Sequence, residues 1–245
     1  MAERRIIIVG ATSGIGKEVA MCYIQLGWKV GLAGRRVEEL QKLQSLAPNQ
    51  VVIQGLDVTS TDSSQLLSEL IAKNGGMDVF LLSAGIGKQN AALDLQIEEK
   101  TAATNVDGFI RMVTAAFHYF EQHDGGHLAA ISSIAGTKGL GAAPAYSATK
   151  RFQSTYLEAL EQLARMKKLS ISFTDIRPGF VNTPLLKQGA YPLLMDVAPV
   201  ARSIVKAIER KKRVVIIDWR YRLLVAFWQS IPKKLWVRLP IKSKS

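Results

Sequence analysis

Seven short apolar runs punctuate the chain: Ile6 to Val9, Trp28 to Ala33, Val51 to Val58, Val79 to Leu82, Leu128 to Ile131, Leu169 to Ile176 and Val214 to Ile217. They are rich in β-branched residues and rarely alternate with polar ones, so each reads as a strand buried on both faces. Helical stretches lie between them, the first from Lys17 to Ile24. Regular alternation of strand and helix predicts an α/β fold, a doubly wound seven-stranded parallel sheet with helices on both faces and right-handed crossovers. No internal repeat or long linker interrupts the pattern.

The 245 residues, 48% of them hydrophobic, suit one large domain. A lone cysteine, Cys22, excludes an internal disulfide and fits a reducing, cytoplasmic setting; its helical context marks it as a small core residue. Met1 to Arg5 leads into only four apolar residues before Gly10, too few for a secretory signal. The net charge of +12 changes meaning once located: residues 201–245 carry 13 Lys/Arg against 2 acids, whereas residues 1–200 are nearly balanced. The chain therefore divides into a domain over 1–218 and a basic tail over 219–245.

Gly10-Ala11-Thr12-Ser13-Gly14-Ile15-Gly16 joins the first strand to the first helix. Glycines there let the backbone approach a pyrophosphate, and the helix start offers unpaired N–H groups and a positive dipole end. The second strand ends in Gly34-Arg35-Arg36, with no acid to take a ribose 2′-hydroxyl. Arg35 can pair a 2′-phosphate through its planar fork, which favours NADP over NAD. Surface arginines opening a helix are the plainer alternative. Asp57 is placed to receive an adenine amino group with Val58 against the ring, and Ser83-Ala84-Gly85 keeps the fourth strand end small enough to lie under a cofactor.

Tyr146 and Lys150 are four residues apart, hence on one helix face. A free phenol titrates near 10; an adjacent fixed cation favours its ionised form and brings it toward general acid–base work. Ser133, thirteen residues before Tyr146 and at the end of a strand, can donate to a carbonyl oxygen that the tyrosine protonates. Asn105 interrupts a helical stretch; it can hold a water, bend the helix by bonding its backbone, or be an ordinary surface residue. His118, His123 and His127 have a spacing that suits no single helix face, and no metal site is expected. Arg177-Pro178-Gly179-Phe180-Val181-Asn182-Thr183-Pro184 fixes a turn whose backbone can read a nicotinamide amide. Thr183 can cap a following helix or contact a phosphate, and Leu185 to Val197 resembles a substrate-covering segment.

In this order the signatures resemble the short-chain dehydrogenase/reductase family over about residues 5–218. The resemblance implies a Rossmann fold and an NAD(P)-dependent oxidoreductase that moves a hydride between nicotinamide and a carbonyl or secondary alcohol. It implies Tyr146 as proton donor or acceptor, Lys150 as ribose ligand and tuner of Tyr146, Ser133 as carbonyl orienter, and Asn105 as support for a water in a proton relay. Ser133 is preferred to Ser132 because the family's usual interval to the tyrosine is thirteen. Cofactor contacts are expected from Gly10, Thr12, Ser13, Gly14, Ile15, Gly16, Arg35, Arg36, Asp57, Val58, Ala84, Gly85, Asn105, Tyr146, Lys150, Pro178, Gly179, Val181 and Thr183. Two departures stand out: Ser83 where the family usually has Asn, and Val9 before Gly10 where it usually has Thr. The resemblance also implies a homodimer or homotetramer. A non-catalytic dinucleotide sensor on the same fold is the alternative, and an epimerase of the extended branch would need a larger C-terminal region.

The tail holds three of the four tryptophans, and its longest uncharged stretch, Leu223 to Pro232, is ten residues. That is about half of what a membrane span needs. Aromatic and aliphatic residues among Lys and Arg suit a helix lying on an anionic membrane surface. A helix packed on the domain or a sister subunit is the second reading. Nucleic acid is not expected, since no groove-reading motif accompanies the charge. Lipid contact would favour a hydrophobic substrate such as a lipid-like ketone or steroid.

Overall fold

The computed structural model describes residues 3–186 and 191–239. Seven strands form one parallel sheet: β1 (Arg5–Val9), β2 (Lys29–Gly34), β3 (Val51–Gly55), β4 (Val79–Leu82), β5 (Gly126–Ile131), β6 (Ile171–Arg177) and β7 (Val214–Ile216), in the spatial order β3-β2-β1-β4-β5-β6-β7. β1 pairs in parallel with both β2 and β4, and the strand order reverses between β1 and β4, so a crevice opens at the carboxyl ends of these two strands.

Successive side chains of a strand point to opposite faces. Ile6 and Ile8 enter one core with residues of α1 (Gly14–Gln25), α2 (Val37–Leu46) and α7 (Val197–Glu209). Ile7 and Val9 enter the other, with α3 (Ser63–Lys73), α5 (Phe109–Gln122) and α6 (Pro144–Met166). Burial on both faces is what makes these strands continuously apolar.

Strand ends differ from the sequence reading for local reasons. β3 stops at Gly55 rather than Val58, because Asp57 Oδ1 accepts the Thr59 N–H at 3.0 Å and turns the chain away. β5 starts at Gly126, two residues early. β6 starts at Ile171, because Leu169 closes α6 through its N–H to Ala164. Cys22 is half-buried at the margin of the first core, and burial pushes its thiol up.

The helical stretch around Asn105 is three segments: α4 (Leu95–Ala102), a π-helical turn over Ala103–Gly108, and α5. After β7, α8 (Trp219–Ser230) and the single turn α9 (Lys233–Trp236) lie against the domain. Tyr221 and Val225 are buried in the first core and Trp228 packs beside them.

Candidate active site

Helix α6 carries the centre of the site. Pro144 opens it, and Glu98 of α4 accepts the Ala145 N–H at 3.0 Å, satisfying one of the free donors of its first turn. Tyr146, Lys150 and Gln153 then recur at i, i+4 and i+7 along one face. Lys150 is buried, and its ammonium donates to the Ile131 carbonyl and to Gln153 Oε1, each at 2.9 Å. Its Nζ lies 5.8 Å from the centre of the Tyr146 ring. Burial, opposed by the Asp175 carboxylate, brings the ammonium down to about 8. Burial pushes the Tyr146 phenol up, and a hydrogen bond with Ser133 draws it back. A Cβ at Gly87 would lie 2.5 Å from Tyr146 Cδ2, so only glycine lets the loop after β4 close over the ring.

Ser133 follows β5 by two residues and caps the 3-10 turn Ile134–Thr137, its Oγ accepting the Ala135 N–H at 3.1 Å. Its own O–H is thereby free to face Tyr146. Ser132 is committed elsewhere: its hydroxyl donates to Asp175, whose second oxygen takes Arg177 Nε at 2.7 Å. The two serines thus serve opposite sides of the strand.

Asn105 is fully buried, and its side chain pins the loop after β4. Oδ1 accepts the Ile86 N–H at 2.9 Å, while Nδ2 donates to the Ile86 carbonyl at 2.7 Å and to Thr149 Oγ1 at 3.1 Å. Its backbone carbonyl accepts Gln153 Nε2 at 2.9 Å. The π turn thus makes room for a partner from α6. Ser133, Tyr146, Lys150 and Asn105 are brought together, with Gly85 beside them: a Cβ there would stand 3.3 Å from Lys150 Nζ and 3.4 Å from Asn105 Oδ1.

The glycine turn has the features of a pyrophosphate cradle. Gly10 has φ +93°, and a Cβ there would lie 2.4 Å from the Ala84 nitrogen; at Gly16 one would lie 2.2 Å from the Gly10 oxygen. Ser13 precedes α1 with extended backbone and makes no side-chain cap, which leaves the first N–H groups of the helix open. Arg36 Nη2 donates to Thr12 Oγ1 at 2.9 Å and to Ser13 Oγ at 2.7 Å. Arg35 lies 3.8 Å from Asp57 and stays exposed. Two cations thus flank the turn at the end of β2, and of the two it is Arg36 that rests on the turn itself. Ile15 is half-buried, Ala84 lines the core edge, and Val58 is buried with its side chain against Gly108.

The loop after β6 returns over α1. Pro178 is buried and its carbonyl accepts the Ile134 N–H at 3.2 Å, while the methyl of Thr183 sits where a Cβ of Gly14 would be 3.1 Å away. No helix begins at Thr183 among the described residues; Pro184 to Leu186 form a turn, and residues 187–190 of the expected covering segment lie outside the described residues. Val181 is buried and bridges to Met195. Tyr221 of α8 packs on Gly179; its hydroxyl accepts the Phe180 N–H at 3.1 Å and donates to the carbonyl of Pro192 or Leu193 at 3.0 and 3.1 Å. In the loop after β5, the Gly139 carbonyl accepts Trp236 Nε1 at 2.7 Å, and Lys138 Nζ donates to the Ile231 carbonyl at 2.8 Å.

Sequence reasoning missed Tyr221, Gln153 and Glu98. Gln153 carried a legible signal, a polar residue on the face shared by Tyr146 and Lys150. Tyr221 carried none, since it sits within a tail whose composition reads as surface. The three histidines are each accounted for: His118 pairs with Glu121, His123 with the Tyr119 carbonyl, and buried His127 with Thr174 Oγ1 at 2.8 Å. Among the described residues no group of three His, Cys, Asp or Glu could hold a metal ion.

The family model described as short chain dehydrogenase matches residues 4–190. An uncharacterized oxidoreductase of Myxococcus xanthus is 31% identical over 96% of this chain and 95% of its own length. One from Listeria monocytogenes is 34% identical over 74% of this chain and 76% of its own. Among solved structures, ElxO with NADP bound superposes with a TM-score of 0.79 at 21% identity, covering 91% of this chain and all of that one. A 3-ketoacyl-(acyl-carrier-protein) reductase of Brucella melitensis complexed with NADH superposes with a TM-score of 0.78 at 18% identity, covering 88% and 96%. With a family match over most of the chain and the same parallel sheet, the protein is an oxidoreductase and belongs to the short-chain dehydrogenase/reductase family.

Proposed function

We propose that the enzyme interconverts a hydrophobic carbonyl compound and its secondary alcohol with NADP(H), reduction being the working direction. The observation that carries this reading is the convergence of Ser133, Tyr146 and Lys150 beside a glycine turn flanked by two arginines. When bound, the nicotinamide dinucleotide supplies the hydride chemistry. The turn from Gly10 to Gly16 holds the pyrophosphate and is steadied by Arg36, Arg35 takes the 2′-phosphate, Asp57 meets the adenine, and the loop from Pro178 to Thr183 meets the nicotinamide end.

The chain's own residues handle position and the proton. Ser133 donates to the substrate oxygen and holds it within reach of the Tyr146 hydroxyl. Tyr146 gives its proton to that oxygen as charge develops there. The Lys150 ammonium stabilises the phenolate left behind, which a phenol raised by burial requires. Leu185, Leu193 and Leu194 stay exposed around the loop that covers the site, as an apolar substrate would need.

The same reading extends to the outer face of α8. Trp219, Leu223 and Phe227 recur at i, i+4 and i+8 and are each more than 60% exposed, opposite the buried Tyr221 and Val225. Such a stripe suits the interface of a membrane. Lys206, Arg210, Lys212 and Arg222 line a neighbouring recess and make no ion pair among the described residues, so they favour anionic lipid. No helix among the described residues is long and apolar enough to cross a bilayer.

The test is oxidation of NADPH and NADH with carbonyls from small diketones to long-chain ketones, for wild type and Tyr146→Phe. Expected are NADPH-preferring turnover that rises with chain length, and a loss of at least about 100-fold in the variant with cofactor binding retained. Cofactor binding without turnover across the whole panel would overturn the reading.

A further inference from the structure

Gln153 is the most deeply buried polar side chain on the catalytic face of α6, at 1% exposure. An amide taken that far from water costs free energy unless both of its ends are paired. Both are. Oε1 accepts from Lys150 Nζ at 2.9 Å, and Nε2 donates to the Asn105 carbonyl at 2.9 Å. That carbonyl sits in the π-helical turn, whose irregular bonding leaves it open to a partner outside its own helix. Asn105 is itself held on Ile86 and Thr149, so the bridge ends on a fixed point.

Two of the three Lys150 donors are thus assigned, one to Gln153 and one to the Ile131 carbonyl. The third is left for the side on which Gly85 and Tyr146 lie. Of the groups facing Lys150, Asp175 on β6 is the carboxylate that favours its charge, and Asp175 is already shared with Ser132 and Arg177. Tyr146 lies on the same helix, and Asn105 and Gln153 are neutral. With the nearby carboxylate partly spent, a neutral acceptor fixed on the ammonium carries more of the task of keeping it charged.

We propose that Gln153 is a positioning residue: it anchors the Lys150 ammonium to the Asn105 carbonyl, aims its remaining donor at Tyr146 and the cofactor side, and keeps the lysine charged so that the tyrosine can ionise. The bridge orients and carries no proton. The proposal rests on the proton-transfer reading of Tyr146 and Lys150 given above.

The test follows Tyr146 directly, in the cofactor-free protein, by NMR of ζ-13C-tyrosine with the resonance assigned through Tyr146→Phe. Gln153→Met keeps the volume and removes both hydrogen bonds. It should raise the Tyr146 titration midpoint by about one pH unit, tenfold in the phenol–phenolate ratio, and move the pH–rate limb by the same amount with the KM for NADPH little changed. Gln153→Glu restores an acceptor for Lys150, but its own negative charge opposes the phenolate, so it should restore the Lys150 titration midpoint while leaving that of Tyr146 above wild type. A Gln153→Met protein that binds NADPH normally and titrates Tyr146 at the wild-type midpoint would overturn the proposal. Because the midpoint needs no turnover, a wild type inert toward every carbonyl would sink the functional reading and leave this test intact.

Discussion

Tyr221 lies on Gly179 so closely that a Cβ at position 179 would stand 2.2 Å from the tyrosine ring. Gly179→Ala is therefore expected to displace α8 and cost about 1–3 kcal/mol by overpacking. Tyr221→Ala removes the obstructing ring, so the double variant should lose less than the sum of the singles. Urea unfolding of all four proteins measures the coupling; strict additivity would show that the contact is not felt. Tyr221→Phe keeps the ring and drops its bonds to Phe180 and the 192–193 carbonyls, at about 1–2 kcal/mol.

The two arginines after β2 separate by partner. Arg36 is bonded to Thr12 and Ser13, so Arg36→Ala should weaken NADPH and NADH together as the turn loosens. Arg35 lies beside the Asp57 carboxylate, which burial works to raise and Thr59 and Arg35 hold below its usual range. Arg35→Ala should weaken NADPH by about tenfold, the loss of one charge-assisted bond, and NADH far less. Fluorescence titration of both cofactors decides it; equal losses for Arg35→Ala would end the NADP assignment.

His127 is buried at the start of β5, where burial first and Lys211 second push its imidazole down to about 4. The folded state thus holds it neutral where the unfolded chain would protonate it near 6.5. The stability it contributes is complete above pH 6.5 and is lost as pH falls toward 4, by at most about 3 kcal/mol. Urea midpoints at pH 7.5 and 4.5 should fall further for wild type than for His127→Gln, which cannot titrate. Equal slopes would contradict this account.

Vesicle flotation tests the outer face of α8. Wild type should float with anionic vesicles, release as salt is raised, and ignore neutral ones. Replacing Trp219, Leu223 and Phe227 by Ser should abolish flotation while leaving Tm nearly unchanged, since these side chains are exposed. A wild type that never floats would refute the membrane reading.

The sheet was legible because strands covered on both faces must be continuously apolar, and a run such as Ile6 to Val9 admits little else. Tyr146, Lys150 and Gly10 were legible because helix spacing and a glycine between strand and helix are local facts. Strand ends were harder: β3 ends where the Asp57 side chain captures Thr59, a competition invisible in a β-branched run. Asn105 was ambiguous since its partners, Ile86, Thr149 and Gln153, lie 19 to 48 residues away. The tail left two readings open for a related reason. α8 is apolar on two sides, so Tyr221 and Val225 serve the core while Trp219 and Phe227 face outward, and composition cannot divide the two.

The two helices after β7 hold the loop after β6 and the loop after β5 at once. Tyr221 bonds to Phe180 and to the carbonyl of Pro192 or Leu193, while Trp236 and Ile231 bond to Gly139 and Lys138. The helices after β7 are therefore a tie between two loops that the sheet alone leaves separate, and cutting either end of the tie frees only the loop on that side.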